Sequence, residues 1–297
     1  MVTRSTALLG AYVGQSVSAF DSFAAWLGTT PGIVIDYASY DTYSDMMNVS
    51  ALSTNWSGLG LQTSFAVPML PYNGTPSTPG YTLADAASGA YNAHYVSLAD
   101  NLVSAGFGAS IIRLGWEMNG NWFPWSIQNG NAEFASAFQQ QVTAMRSAAG
   151  QAFLFDFNPA CGSSYIDDIA LDPAEAYPGD AYVDVIGMDI YDQSYVSNWE
   201  VFANRWSTYI SQPYGLEWQR GFALAHGKRV SFPEWGLWPA GSNGGGDCPQ
   251  FIECMYALFA SFGESVAYQA YFDFSTSVLS SYPNSQAAYL RLEGGLN

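Results

Sequence analysis

Two glutamates sit where a carboxylate is out of keeping with its neighbours: Glu117 in "GWEMNGNW" and Glu234 in "FPEWGLW". Each closes an apolar run and is flanked by bulky rings, whereas most other acids fall in helix-like or loop-like stretches where water solvates them. An apolar wall raises the pKa of a carboxylic acid by disfavouring its charge, while neighbouring donors keep another carboxylate ionised. A matched pair of this kind, one proton donor and one anion, is what cleavage of a glycosidic bond requires. The competing reading is that one or both are buried structural acids tied to Arg113 or to backbone donors.

Groups suited to a sugar surround the pair. Asn119, Trp122 and Trp125 follow Glu117 into a loop, where rings can stack on a pyranose and an amide can bind its hydroxyls. Trp235 and Trp238 flank Glu234 in the same way, and Trp122 and Trp235 are the foremost of these candidates. Asp189 and Tyr191, in "DIYD", are two residues apart and so share a strand face. Arg113 lies four residues before Glu117, on the same face if the strand stays extended, and can orient a carboxylate. His94 is a candidate for a sugar hydroxyl, although a lone histidine before a helix is more often structural. Phe272 and Asp273 end the last apolar run.

These residues need a frame that brings strand ends together. Eight apolar runs of strand length recur along the chain: 7–14, 32–39, 61–70, 109–118, 152–160, 183–192, 228–237 and 266–274. Between them lie helix-like stretches such as "SAFDSFAAWLG", "SLADNLVSAG", "NAEFASAFQQQVTAMRSAAG", "NWEVFANRWSTYISQ" and "CPQFIECMYALFASFG", several opened by Ser, Asn or Asp and closed by Gly. Strand and helix in alternation predict an α/β fold, a (β/α)8 TIM barrel, with residues 1–297 as a single domain. A doubly wound open sheet would be expected to carry a Gly-rich phosphate turn after an early strand, and "GAYVGQS" is not one. In a barrel the C-terminal strand ends form the active face, which is where Glu117 and Glu234 fall. Two loops rich in turn formers, "PYNGTPSTPGYTLADAASGAYNAHY" and "WPAGSNGGGDCPQ", follow the third and seventh runs at the same face.

Composition narrows the partners. The chain has 25 acids against 8 Lys and Arg, a formal charge of −17, which repels a phosphate backbone and argues against nucleic acid. No apolar run approaches the ~20 residues that span a bilayer, so membrane insertion is not expected. The three cysteines and two histidines show no zinc-ligand spacing, and neither a metal nor another cofactor is expected. Cys248 and Cys254 are close enough in sequence either to bridge or to remain two free thiols. The expected location is extracellular, with any secretion signal outside this sequence, and the expected state is a monomer.

"RLGWEMNGNWFPW", "YPGDAYVDVIGMDIYD" and "FPEWGLW", in that order and at those strand ends, resemble glycoside hydrolase family 26, retaining β-glycanases best known for β-mannanases. The resemblance implies that Glu117 is the general acid/base and Glu234 the nucleophile of a double displacement on a polysaccharide. It implies that Tyr191 donates a hydrogen bond to the nucleophile. The chain departs from the mannanase pattern at Trp116, where a histidine usually precedes the acid/base, so a polar contact near the first sugar subsite gives way to a large ring. A β-1,4-mannan-type substrate is the first expectation, with β-1,3-xylan, mixed-linkage glucan or a bacterial cell-surface polysaccharide as alternatives. A catalytically silent carbohydrate-binding barrel is the reading from another class.

Overall fold

The computed structural model describes residues 7–75, 80–166, 169–241 and 243–293. Eight parallel strands form a ring: β1 (Leu8–Tyr12), β2 (Ile33–Tyr37), β3 (Gln62–Val67), β4 (Ile111–Leu114), β5 (Leu154–Phe157), β6 (Val185–Gly187), β7 (Arg229–Gly236) and β8 (Val266–Phe272). Each strand pairs with the next in sequence, and β8 pairs with β1 from Leu8↔Tyr268 to Tyr12↔Phe272, which closes the (β/α)8 barrel. Each of the eight apolar runs contains one of these strands, because a strand buried on both faces reads as a near-continuous apolar stretch, and the run 183–192 holds in addition the two-residue strand Ile190–Tyr191, which pairs with the end of β7.

The helices that cover the ring follow from local chemistry. Val17–Leu27 begins at Ser16, whose side chain accepts from the Ala19 N–H at 3.2 Å, and stops at Gly28, whose φ of 73° is accessible to glycine without strain. Pro249–Phe262 buries Phe251, Ile252, Met255, Tyr256, Phe259 and Phe262, a three-and-four spacing that lays one stripe against Phe232 and Trp235 of β7. The fifth crossover departs from the strand-helix alternation. Among the described residues no α-helix joins β5 to β6; a short hairpin (Tyr165–Ile166 with Ile169–Ala170) and the 3-10 turn Pro173–Ala176 do so instead. Pro159, Gly162, Pro173, Pro178 and Gly179 in this stretch interrupt any helical run. No disulfide joins Cys248 to Cys254; both are free thiols, as is Cys161.

Two apolar zones result. The larger lies between the ring and its helices, and the smaller fills the barrel with Tyr12, Ile33, Ile35, Ile111, Tyr268 and Ala270. A buried polar layer crosses the interior: Ser231 and Tyr268 donate to Asp156 Oδ2 at 2.6 and 2.7 Å, and burial lifts the Asp156 carboxyl to about 6 against those bonds. Above it stands Arg113, wholly buried, at the floor of the barrel mouth. Among the described residues no helix is long and apolar enough to cross a membrane, and no group of three or more His, Cys, Asp or Glu is placed to hold a metal.

Candidate active site

Glu234 reaches the barrel interior through a break in strand register. Ser231 points inward to Asp156, and Phe232 points outward onto Phe259. Strict alternation would then turn Glu234 outward and Trp235 inward. Between Phe232↔Gln269 and Trp235↔Tyr271 the register shifts, with two residues of β7, Pro233 and Glu234, set against one of β8, Ala270. This bulge accommodates Pro233, which has no N–H to give a ladder, and it returns Trp235 to the outer face and Glu234 to the inner one.

Three donors meet Glu234 there. Arg113 Nη2 donates to Oε1 at 2.5 Å, the Tyr37 hydroxyl also donates to Oε1, and the Tyr191 hydroxyl donates to Oε2 at 2.9 Å. Arg113 is itself fixed, with Nε on Asn158 Oδ1 at 2.6 Å and Nη2 on Asp189 Oδ2 at 2.8 Å. Asp189 and Tyr191, two residues apart just beyond β6, thus serve one site.

Glu117 arrives differently from the sequence expectation. β4 ends at Leu114, and Gly115 and Glu117 take φ values of 59° and 54°, so Arg113 and Glu117 do not lie on one extended strand. A glutamate with positive φ is strained by about 1–3 kcal/mol. It is held there by the Glu117 N–H donating to Asn158 O at 2.6 Å and by Gly120 N–H donating to Glu117 O at 2.9 Å. Its carboxyl is half-buried and, among the described residues, receives one side-chain donor, Trp122 Nε1, at 2.8 Å. Burial first, and the charge of Glu234 second, push it up to about 7, against the Trp122 bond and the Arg113 charge.

Rings line the mouth. Tyr37 stands edge-on to Tyr12 (5.0 Å between centroids) and to Trp116 (5.6 Å); Tyr191 stands edge-on to Trp238 (5.7 Å) and Phe272 (5.8 Å). Trp122 is 40% exposed and offers an open face beside Glu117. Gly120 lies beneath it, where a Cβ would come within 2.3 Å of the indole.

Four sequence candidates lie elsewhere. Asn119 is wholly buried: its amide donates to Ala160 O at 2.9 Å and Gly162 O at 2.5 Å, and its oxygen accepts from Ala160 N–H at 2.8 Å. It clamps the loop after β5 and has no amide group to spare for a hydroxyl. Trp125 is wholly buried under Phe123 and Trp116, with Nε1 on Trp116 O at 2.8 Å. Trp235 is wholly buried on the helix side, with Nε1 on Gln269 Oε1 at 2.6 Å. His94 stacks on Tyr43 at 4.3 Å in a separate group with Tyr81, Tyr91 and Tyr95. Trp116 is buried between Tyr37, Phe123 and Trp125 and backs the site rather than facing it. Sequence reasoning missed Tyr37 and Asn158, each closing an apolar run at the C-terminal face, where position alone was a usable signal.

Residues 97–212 match the sequence model of glycosyl hydrolase family 26. The resemblance to family 26 holds. The matched segment carries Arg113, Glu117, Trp122, Asp189 and Tyr191; Glu234 lies beyond it. Over 220 residues, 65% of this chain, the sequence is 28% identical to Endoglucanase H of Acetivibrio thermocellus, and the match spans 21% of that protein's length. The barrel is similar to that of the Bacillus subtilis mannanase BCman, with a TM-score of 0.64 at 17% identity over 98% of this chain and 86% of that one. A modular endo-β-1,4-mannanase from Cellulomonas fimi gives a TM-score of 0.66 at 18% identity, over 95% of this chain and 70% of that one. At these identities the structural likeness speaks to the fold.

Proposed function

We propose that the protein is a retaining endo-β-glycanase that hydrolyses a β-1,4-mannan-type polysaccharide with Glu234 as nucleophile and Glu117 as acid/base. The observation that carries this reading is the contrast between the two carboxyls. Glu117 is lifted to about 7 by its half-buried setting and keeps a proton to give, whereas Glu234 is the acceptor of three donors, one of them a guanidinium. One carboxyl that keeps its proton beside another held by three donors divides the roles of acid and nucleophile.

In the first step Glu234 forms a bond to the anomeric carbon as the glycosidic C–O bond breaks, and the proton of Glu117 passes to the departing oxygen. In the second, Glu117, now a carboxylate, takes a proton from water as that water attacks the same carbon, which releases Glu234 and restores the proton on Glu117. Trp122, exposed and bonded to the acid/base, supplies an apolar face for the sugar beside the scissile bond. A polymer of this kind is met outside the cell, in keeping with an acidic, extracellular, monomeric enzyme.

A glucan is the second reading. Trp116 stands where mannanases of the family usually place a histidine, and the curated relative is an endoglucanase by name. The test is reducing-end release from mannan, galactomannan, mixed-linkage glucan, β-1,3-xylan and bacterial cell-wall polysaccharides. The expected result is release from one polymer, reduced about 10²–10⁴-fold in Glu117→Gln and abolished in Glu234→Ala. Release that persists in Glu234→Ala overturns the assignment, and binding without release by the unaltered protein favours a silent carbohydrate-binding barrel.

A further inference from the structure

The two oxygens of Glu234 are not equivalent. A carboxylate oxygen offers two lone pairs. On Oε1 both are taken, by Arg113 Nη2 at 2.5 Å and by the Tyr37 hydroxyl. Among the described residues Oε2 accepts from Tyr191 alone, at 2.9 Å, which leaves its second lone pair for the sugar. Neither donor to Oε1 is free to leave it. Arg113 is wholly buried and gripped by Asn158 and Asp189. Tyr37 is backed by Trp116 and Tyr12, and its N–H donates at 2.7 Å to Asp36 Oδ1, a carboxylate held on its other oxygen by Trp56 Nε1 at 2.5 Å.

We propose that Tyr37, backed by Trp116, is a positioning residue that saturates Oε1 of Glu234 and so makes Oε2 the oxygen that attacks the anomeric carbon. This rests on the nucleophile assignment of the preceding subsection. When Oε2 forms the bond, Oε1 becomes the carbonyl oxygen of a glycosyl ester, and its two donors remain in place. In the second step water adds to the anomeric carbon, the C–Oε2 bond breaks, and the electron pair returns to the carboxylate. Tyr37 and Arg113 then stabilise the charge that reappears on the leaving carboxylate, so Tyr37 acts chiefly on release of the intermediate. Trp116 thereby has a use of its own: an edge-on ring in that position fixes the Tyr37 hydroxyl where a histidine would present a polar group to the sugar.

The experiment is pre-steady-state and steady-state hydrolysis of 2,4-dinitrophenyl β-mannobioside, or of the β-cellobioside if the polymer assay selects glucan, by the unaltered protein and by Tyr37→Phe. The variant keeps the ring and loses the hydroxyl. It is expected to lower kcat about 10- to 100-fold, the effect of losing a hydrogen bond to a charged group. KM is expected to fall in proportion, so that kcat/KM changes little, with a burst of dinitrophenolate equal to the enzyme concentration. Unchanged kcat and KM without a burst, or a loss confined to kcat/KM, overturns the proposal. A protein loosened only in structure would lose active sites without a proportional fall in KM. Should Tyr37→Phe fail to fold, Trp116→Phe takes its place: an intermediate that turns over at least 3-fold more slowly supports the proposal, and an unaltered rate overturns it. If Glu234→Ala still releases dinitrophenolate at the unaltered rate, it is the nucleophile assignment that fails, an outcome distinct from a negative result at Tyr37.

Discussion

Trp122 links the acid/base to the sugar platform, and the two functions separate in a pH profile. Its indole N–H donates to Glu117 Oε2 at 2.8 Å, a bond that favours the ionised carboxylate. Trp122→Phe keeps an aromatic face and removes the donor. With the anion less well stabilised, the Glu117 pKa rises from its value of about 7. A hydrogen bond to a charged group contributes about 1.5–3 kcal/mol. Because the indole is 40% exposed, solvent screening brings this to about 1 kcal/mol. At 1.36 kcal/mol per unit the shift is about 0.7 of a pH unit. The protonated acid then persists to higher pH, and the basic limb of kcat/KM, which reports the free enzyme, moves from near 7 toward 8. Initial rates on soluble polymer between pH 4 and 10, in buffers of constant ionic strength, measure it. A lowered plateau with an unmoved limb would make Trp122 a platform only, and a limb displaced downward would refute the acid/base assignment of Glu117.

The remaining expectations concern stability and loop geometry. Since folding raises the Glu117 pKa from 4.5 to about 7, its contribution to stability is fully present below pH 4.5 and is lost as pH rises through 7, by at most about 3 kcal/mol. Glu117→Gln cannot ionise, so urea unfolding should find it level with the unaltered protein at pH 4 and up to about 3 kcal/mol more stable at pH 8; an advantage independent of pH contradicts the shift. Gly120→Ala would drive a methyl into the Trp122 ring, and activity should fall at least ~10-fold while the melting temperature moves by less than about 5 °C, because the displaced ring is partly exposed. Asn119→Ala removes three hydrogen bonds, one buried and two partly buried, and denaturant unfolding should show a loss of about 3 kcal/mol. In the fraction that stays folded, KM should match that of the unaltered protein; a raised KM with full stability would return Asn119 to the sugar.

The sequence made the ring legible because a strand covered on both faces leaves an uninterrupted apolar run, and each of the eight runs holds a strand. Resolution failed where chemistry depends on local backbone. Period-two reasoning places Arg113 and Glu117 on one face, but positive φ values at Gly115 and Glu117, either side of Trp116, carry the acid to the site by a turn that the apolar pattern does not encode. The same reasoning treats Trp235 as a neighbour of the sugar because it adjoins Glu234, whereas the bulge at Pro233 gives the two residues opposite faces. Residue type suggests sugar contacts for Asn119 and Trp125, yet burial directs their polar groups to loop carbonyls and leaves nothing for a ligand. Tyr37 presents the reverse case: an ordinary strand-end tyrosine in a chain with 20 tyrosines acquires its role from β7, nearly 200 positions away, which brings Glu234 to its hydroxyl. What the sequence encodes plainly is therefore the scaffold and the two acids at its strand ends. The donors that divide those acids into proton carrier and nucleophile are set by closure of the ring, which makes β2 and β7 neighbours across a barrel mouth rather than strands far apart in an open sheet.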